Sequence, residues 1–120
     1  MPESINPVYY QIISHMILDP KSYGILKEFF GALDKYEFEY EVDINMALIK
    51  IKGHIIGSVC DGIPEINYEQ NKGKRINISY KPDYIEVSVF TYKKPILINV
   101  RFPKSWRIFY KKPYLYIFFN

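Results

Sequence analysis

The chain predicts an α+β fold: two N-terminal helices packed on one face of an antiparallel β-meander of seven or eight strands, the sheet curling around them. Three observations carry this expectation. The first 35 residues hold apolar stripes at helical spacing, the hydrophobic period falls to two from Tyr36 onward, and turn residues then punctuate the chain at short intervals. At 120 residues, with no linker or low-complexity stretch, the chain reads as a single domain over 1–120. Residues 1–35 are its helical layer and 36–120 its sheet.

Composition agrees. With 48% apolar and 24% charged residues the chain is not disordered. Two Ala and six Leu are too few strong helix formers for a bundle, whereas nineteen Ile, twelve Tyr and eight Phe suit a half-buried sheet. Ile, Lys, Tyr, Phe and Asn are also the residues of A/T-rich codons, so the skew fits a genome such as that of a thermophilic archaeon, an archaeal virus or mobile element, or a low-GC bacterium.

In chain order, Asn6 caps a first helix and Pro7 suits its first position. Tyr9, Ile12, Ile13, Met16 and Ile17 make its stripe. Asp19-Pro20 repeats the start signal, and Tyr23, Leu26, Phe29, Phe30 and Leu33 make the second stripe. Gly24 and Gly31 each weaken that helix by about 1 kcal/mol relative to Ala. From Tyr36 to Val42 apolar residues and acids alternate without a break, which is the pattern of a strand with one wet face.

Turn signals then set the hairpins, and each closure predicts a register that a one-residue slip would invert. Closing at Ile44-Asn45 sets Tyr40 opposite Ile49 and Glu39 opposite Lys50. Closing at Asp61-Gly62 sets Ile55 opposite Tyr68 and His54 opposite Glu69. The same parity over 47–57 predicts one long strand serving both neighbours. Closing at Asn71-Lys72-Gly73 pairs Ile66 with Ile78, Tyr68 with Ile76 and Glu69 with Arg75, the third-position Gly suiting a bulged turn. Pro82-Asp83 pairs Ile76, Ile78 and Tyr80 with Val89, Val87 and Ile85. Lys93-Lys94 pairs Val87 with Val100, Val89 with Ile98 and Glu86 with Arg101. Apolar meets apolar and polar meets polar at every closure, a consistency that supports one global arrangement. One face of the meander, including Ile66, Ile78, Val87, Val100 and Ile108, then needs the helices as its cover.

The N-terminus carries no secretory signal, no apolar run is long enough to span a membrane, and the single cysteine, Cys60, excludes an intrachain disulfide. A soluble intracellular, cytoplasmic protein without a membrane partner is expected. Charge is uneven: residues 1–60 hold five Lys and eight acids, residues 61–120 eleven Lys and Arg and five acids. From Val87 onward seven basic residues face no acid at all. Such asymmetry points to an acidic or polyanionic partner.

Two surfaces follow. Tyr92-Lys93-Lys94-Pro95 and Tyr110-Lys111-Lys112-Pro113 repeat at a spacing of 18, and the turn at Lys72 and Lys74 falls at the same sheet end. Lys72, Lys74, Lys93, Lys94, Lys111 and Lys112, with Tyr92 and Tyr110, therefore predict a basic rim able to attract phosphates. The C-terminal segment 114–119 is apolar on both faces and reads as an exposed edge strand. With it, Phe90, Leu97, Phe109, Leu115, Ile117 and Phe119 predict a protein interface, self-association as a homodimer being the commonest kind.

Catalytic signals are poor. His54 opposite Glu69, with Arg75 next across, reads as a cross-strand ion pair rather than a base with its orienter. No metal-ligand spacing, phosphate loop, dinucleotide fingerprint or nucleophile elbow is present, and no cofactor is implied. The expected function is a small non-enzymatic binding protein acting through protein–protein contact. The alternatives are a nucleic-acid binder using the lysine rim, and a small enzyme or ligand carrier with a tyrosine-lined pocket.

Overall fold

The computed structural model describes residues 20–59, 62 and 64–120. Their order is one helix, α1 (Pro20–Lys35), then nine strands: β1 (Glu41–Asp43), β2 (Leu48–Lys52), β3 (His54–Val59), β4 (Glu65–Gln70), β5 (Lys74–Tyr80), β6 (Tyr84–Thr91), β7 (Lys94–Pro103), β8 (Arg107–Lys111) and β9 (Tyr114–Phe118). The strands form two antiparallel sheets, one of four in the order β1-β2-β9-β8 and one of five in the order β3-β4-β5-β6-β7. This overturns the expected two helices over a single seven- or eight-stranded meander. The first expected helix, from Asn6, lies outside the described residues, as does Cys60; among the described residues there is one helix.

Helix α1 starts at Pro20, whose missing N–H costs nothing there. It buries Ile25, Leu26, Phe29, Phe30, Ala32 and Leu33. Its end is closed by two reversed hydrogen bonds: Glu37 N–H donates to Asp34 O (3.1 Å) and Phe38 N–H to Leu33 O (2.9 Å). Glu37 takes the left-handed conformation (φ 60°) that glycine usually supplies at such an end. The segment after it keeps the alternation read from the sequence, Tyr36 and Phe38 buried, Glu37 and Glu39 exposed. Its backbone bonds go elsewhere, so the strand is shortened to β1.

The β1–β2 register is shifted by two residues from expectation: Glu41 pairs with Lys50, Val42 with Ile49 and Asp43 with Leu48. The loop is four residues, 44–47, instead of two. Asp43 Oδ1 accepts from Met46 N–H (3.2 Å), and Ala47 closes the loop in the left-handed region (φ 52°). Because the shift is even, the faces stay as read.

The expected long strand 47–57 is cut at Gly53, where the chain leaves one sheet for the other. Gly53 N–H donates to Pro113 O (2.9 Å). A Cβ there would lie 2.5 Å from Glu69 O and 2.8 Å from the Tyr68 ring, so only glycine passes. The five-stranded sheet has the expected register throughout β4–β5 and β5–β6. In β3–β4 it holds at His54–Glu69 and Ile55–Tyr68 and is displaced by one residue beyond a bulge between Ile55 and Gly57; in β6–β7 it holds up to Val89–Ile98 and shifts at Thr91–Lys94. Pro95 is tolerated because β7 is an edge.

After β7 the chain changes sheet again. Trp106, 4% exposed, sits between Phe102 (4.9 Å) and Phe119 (6.2 Å), with its N–H donating to Pro103 O (3.1 Å). Ile108 therefore belongs to the four-stranded sheet and not to the row expected for it. Strand β9 lies between β2 and β8 and is no edge. Both of its hydrogen-bonding sides are therefore used, and only one of its two apolar faces, Leu115 and Ile117, is in the core.

Side chains from α1 and both sheets form one hydrophobic core. Tyr68 marks their meeting point: fully buried, its hydroxyl donates to Ile51 O (2.7 Å), and its ring packs edge-on against Tyr110 (5.7 Å). Burial first, and then the neighbouring Tyr110, raise its phenol above the ordinary range. No described helix is long and apolar enough to cross a membrane.

Candidate functional site

Four of the lysines expected at the rim, Lys72, Lys74, Lys93 and Lys94, line one cleft. The β4–β5 turn, the β6–β7 turn and the C-terminus of α1 converge on a cleft of about 300 Å³ lined by Lys35, Tyr36, Glu37, Lys72, Lys74, Thr91, Lys93 and Lys94. Five lysines and one acid thus line it. Lys74 donates to Glu37 O, and Tyr36 Oη donates to Ile96 O (2.6 Å), which ties the helix end to β7. Among the described residues, Lys72, Lys93 and Lys94 form no ion pair.

Local sequence explains why these turns meet. Lys72 and Gly73 both take positive φ (64° and 77°), more than the single glycine position expected. A Cβ on Gly73 would fall 2.2 Å from the Tyr92 ring, so the glycine is what lets Tyr92 lie against the neighbouring turn. Tyr92 N–H donates to Gly73 O (3.2 Å), and the Arg75 guanidinium covers the ring at 5.3 Å.

Three of the expected rim residues are placed elsewhere. Lys111 and Lys112 do not line the cleft; their turn belongs to the four-stranded sheet and joins this end through the Gly53–Pro113 hydrogen bond. Tyr110 packs against Tyr68 instead of standing beside the lysines.

The expected apolar interface is dispersed. Leu115, Ile117 and Phe119 are core residues, at most 1% exposed. Phe90 and Leu97 lie in the five-stranded sheet, and Phe109 lies in the other. Ile96 (72%) and Leu97 (52%) are exposed on edge strand β7.

The outer face of the four-stranded sheet carries an arrangement that the sequence reading missed. Pairing across β1, β2, β9 and β8 gives three outward rows: Asp43, Leu48, Phe118, Arg107; Glu41, Lys50, Tyr116, Phe109; and Lys52, Tyr114, Lys111. Phe109, 46% exposed, stacks on Tyr116 (5.3 Å) and on Phe118 (5.7 Å), and Tyr114 stands edge-on to Tyr116 (6.1 Å). Lys50 lies over Tyr114 (4.3 Å) and Arg107 over Phe118 (4.8 Å). Both acids of this face are on β1, where Glu41 meets Lys50 at 3.8 Å. The signal was available: Tyr114, Tyr116 and Phe118 alternate with Leu115, Ile117 and Phe119, and the hydroxyls of the two tyrosines mark their set as the outward one. The expected interface takes the opposite parity, with Leu115, Ile117 and Phe119 outward; the structure buries all three.

His54 and Arg75 flank Glu69 at 3.6 and 3.7 Å, the cross-strand ion pairing read from the register. Among the described residues no three His, Cys, Asp or Glu gather as metal ligands. No family model, no curated protein and no solved structure matches the chain.

Proposed function

We propose that this chain is a non-enzymatic binding protein whose partner is a nucleic acid, anchored at the lysine-lined cleft. The observation that carries this is the convergence of Lys35, Lys72, Lys74, Lys93 and Lys94 from three elements on one cleft with a single acid, Glu37, in its lining. Like charges held together repel, and a polyanion relieves that repulsion while releasing its own counterions. Backbone strain supports the same reading. Three described residues other than glycine have positive φ, and two of them, Glu37 and Lys72, line this cleft. Such conformations cost on the order of 1 kcal/mol each and collect at functional sites.

Fluorescence anisotropy of a labelled oligonucleotide over a salt series tests it. If the five lysines of the cleft each meet a phosphate, the log–log slope is about −4.5 on duplex and about −3.5 on single strands. Lys93→Glu/Lys94→Glu should flatten that slope by about 2. No binding at low salt, or a slope near zero, contradicts the reading.

A second reading, contact with a protein partner or a second copy, rests on exposed Ile96 and Leu97 on edge strand β7. Sedimentation of the wild type and Leu97→Lys decides it. A monomer in both cases removes the second copy.

A further inference from the structure

We infer that the outer face of the four-stranded sheet is a stacking platform for unpaired bases, so the nucleic acid taken by this protein is single-stranded. This rests on the reading of the partner as a nucleic acid and goes beyond it by naming the strand form and a second surface. The carrying geometry is the ring set Phe109, Tyr114, Tyr116 and Phe118, neighbours lying 5.3–6.1 Å apart on a face away from the core. Outward positions of a solvated strand are ordinarily polar; here Tyr114, Tyr116 and Phe118 are half-buried and Phe109 is exposed, so the rings gain cross-strand stacking from the fold but keep open ring surface. Successive outward residues on β9 are about 7 Å apart, so the three rows span about 14 Å, room for two or three splayed bases.

The charges fit the same occupant. Lys50, Lys52, Arg107 and Lys111 surround the rings, while β2, β8 and β9 contain no acid. A strand whose bases lie on the rings places its phosphates among these cations. A duplex keeps its bases stacked inside and meets only the cations, leaving the rings without a role. The platform also continues toward the cleft. Its last row ends at Lys52, whose carbonyl accepts from Gln70 Nε2 (2.8 Å), and Gln70 precedes the turn that carries Lys72. One strand can therefore run from rings to lysines.

The test compares a 2-aminopurine-labelled single strand with its duplex, using the wild type, Phe109→Ala/Tyr116→Ala, Phe109→Leu/Tyr116→Leu and the cleft variant Lys93→Glu/Lys94→Glu. The leucine pair keeps apolar bulk, which preserves a folded comparison if the alanine pair does not fold. The platform account expects the wild type to prefer the single strand and to change 2-aminopurine fluorescence. It expects either platform pair to lose about tenfold or more in single-strand affinity, with duplex affinity unchanged. Equal affinity for the two strand forms, or a platform pair that binds the single strand like the wild type, overturns the inference. So does a wild-type dimer that the platform pairs dissolve, which gives this face to a second copy. Failure of the cleft reading looks different: the Lys93→Glu/Lys94→Glu variant then keeps wild-type salt dependence while the platform effects persist.

Discussion

The two sheets share one core but differ in what they present away from it. On the five-stranded sheet most of the outward polar groups meet partners on the same face, although Arg75 Nε makes no hydrogen bond. Asn77 donates to Asn67, Asn99 Nδ2 donates to Ser88 Oγ (3.3 Å) and Glu86 Oε2 (3.1 Å), and Glu69 holds both His54 and Arg75. Lys81 faces Glu86 at 4.0 Å, and Arg101 covers Tyr84 at 4.5 Å. On the four-stranded sheet the outward rings stack on one another, cations lie over them, and the acids are confined to β1. The first face is occupied mainly by polar pairs. The second carries the stacked rings and cations on which the proposed single strand would lie. The difference teaches that register alone does not make a binding face; what decides is whether the outward residues complete each other.

Breaking the junction should have the largest effect. Gly53→Val sets a side chain against Glu69 O and the Tyr68 ring, and loss of about 3 kcal/mol or more is expected in denaturant unfolding. Wild-type stability there would mean that the two sheets do not depend on this crossing. The next effect sharpens the contrast of faces. Tyr116→Ala should weaken single-strand binding by about 1–3 kcal/mol, while Asn77→Ala, at the matching place on the other sheet, should leave binding unchanged. Equal losses at both sites would erase the distinction.

A smaller effect concerns pH. Burial raises the Tyr68 phenol, so the folded state holds that proton more tightly than the unfolded chain. The stability this contributes is present below about pH 10 and lost as pH rises beyond it. Tyr68→Phe should flatten the alkaline limb and cost about 1 kcal/mol at neutral pH through the missing bond to Ile51 O. The smallest change is favourable. Gly31 is an exposed helix position with open space where a Cβ would go, and Gly31→Ala should add about 0.5–1 kcal/mol to thermal stability.

Legibility in the sequence follows the same division. Every hairpin of the five-stranded sheet is short-range, so turn residues and parity sufficed to pair Tyr68 with Ile76 or Val87 with Val100. The four-stranded sheet closes through β2 and β9, residues that no turn connects. Assuming neighbour pairing made β9 an edge and turned Leu115 and Ile117 outward. The cut at Gly53 was hidden because unbroken parity over 47–57 suits one strand as well as two. The lysine cleft was half legible: the turns at Lys72 and at Lys93-Lys94 share a sheet end by counting, but Lys35 and Glu37 enter only because α1 ends against β7. The ring platform needed the Phe109–Tyr116 pairing, which depends on the β8–β9 hairpin and on the correct face of β9.

The most direct measurement is an amide NMR titration of the wild-type protein with a short single-stranded oligonucleotide. The account predicts that shifts gather on β8 and β9 and on the turns at 71–74 and 92–94, with the amides of Asn67, Asn77 and Ser88 unmoved. Shifts centred on those three residues, or no shifts at low salt, would contradict it.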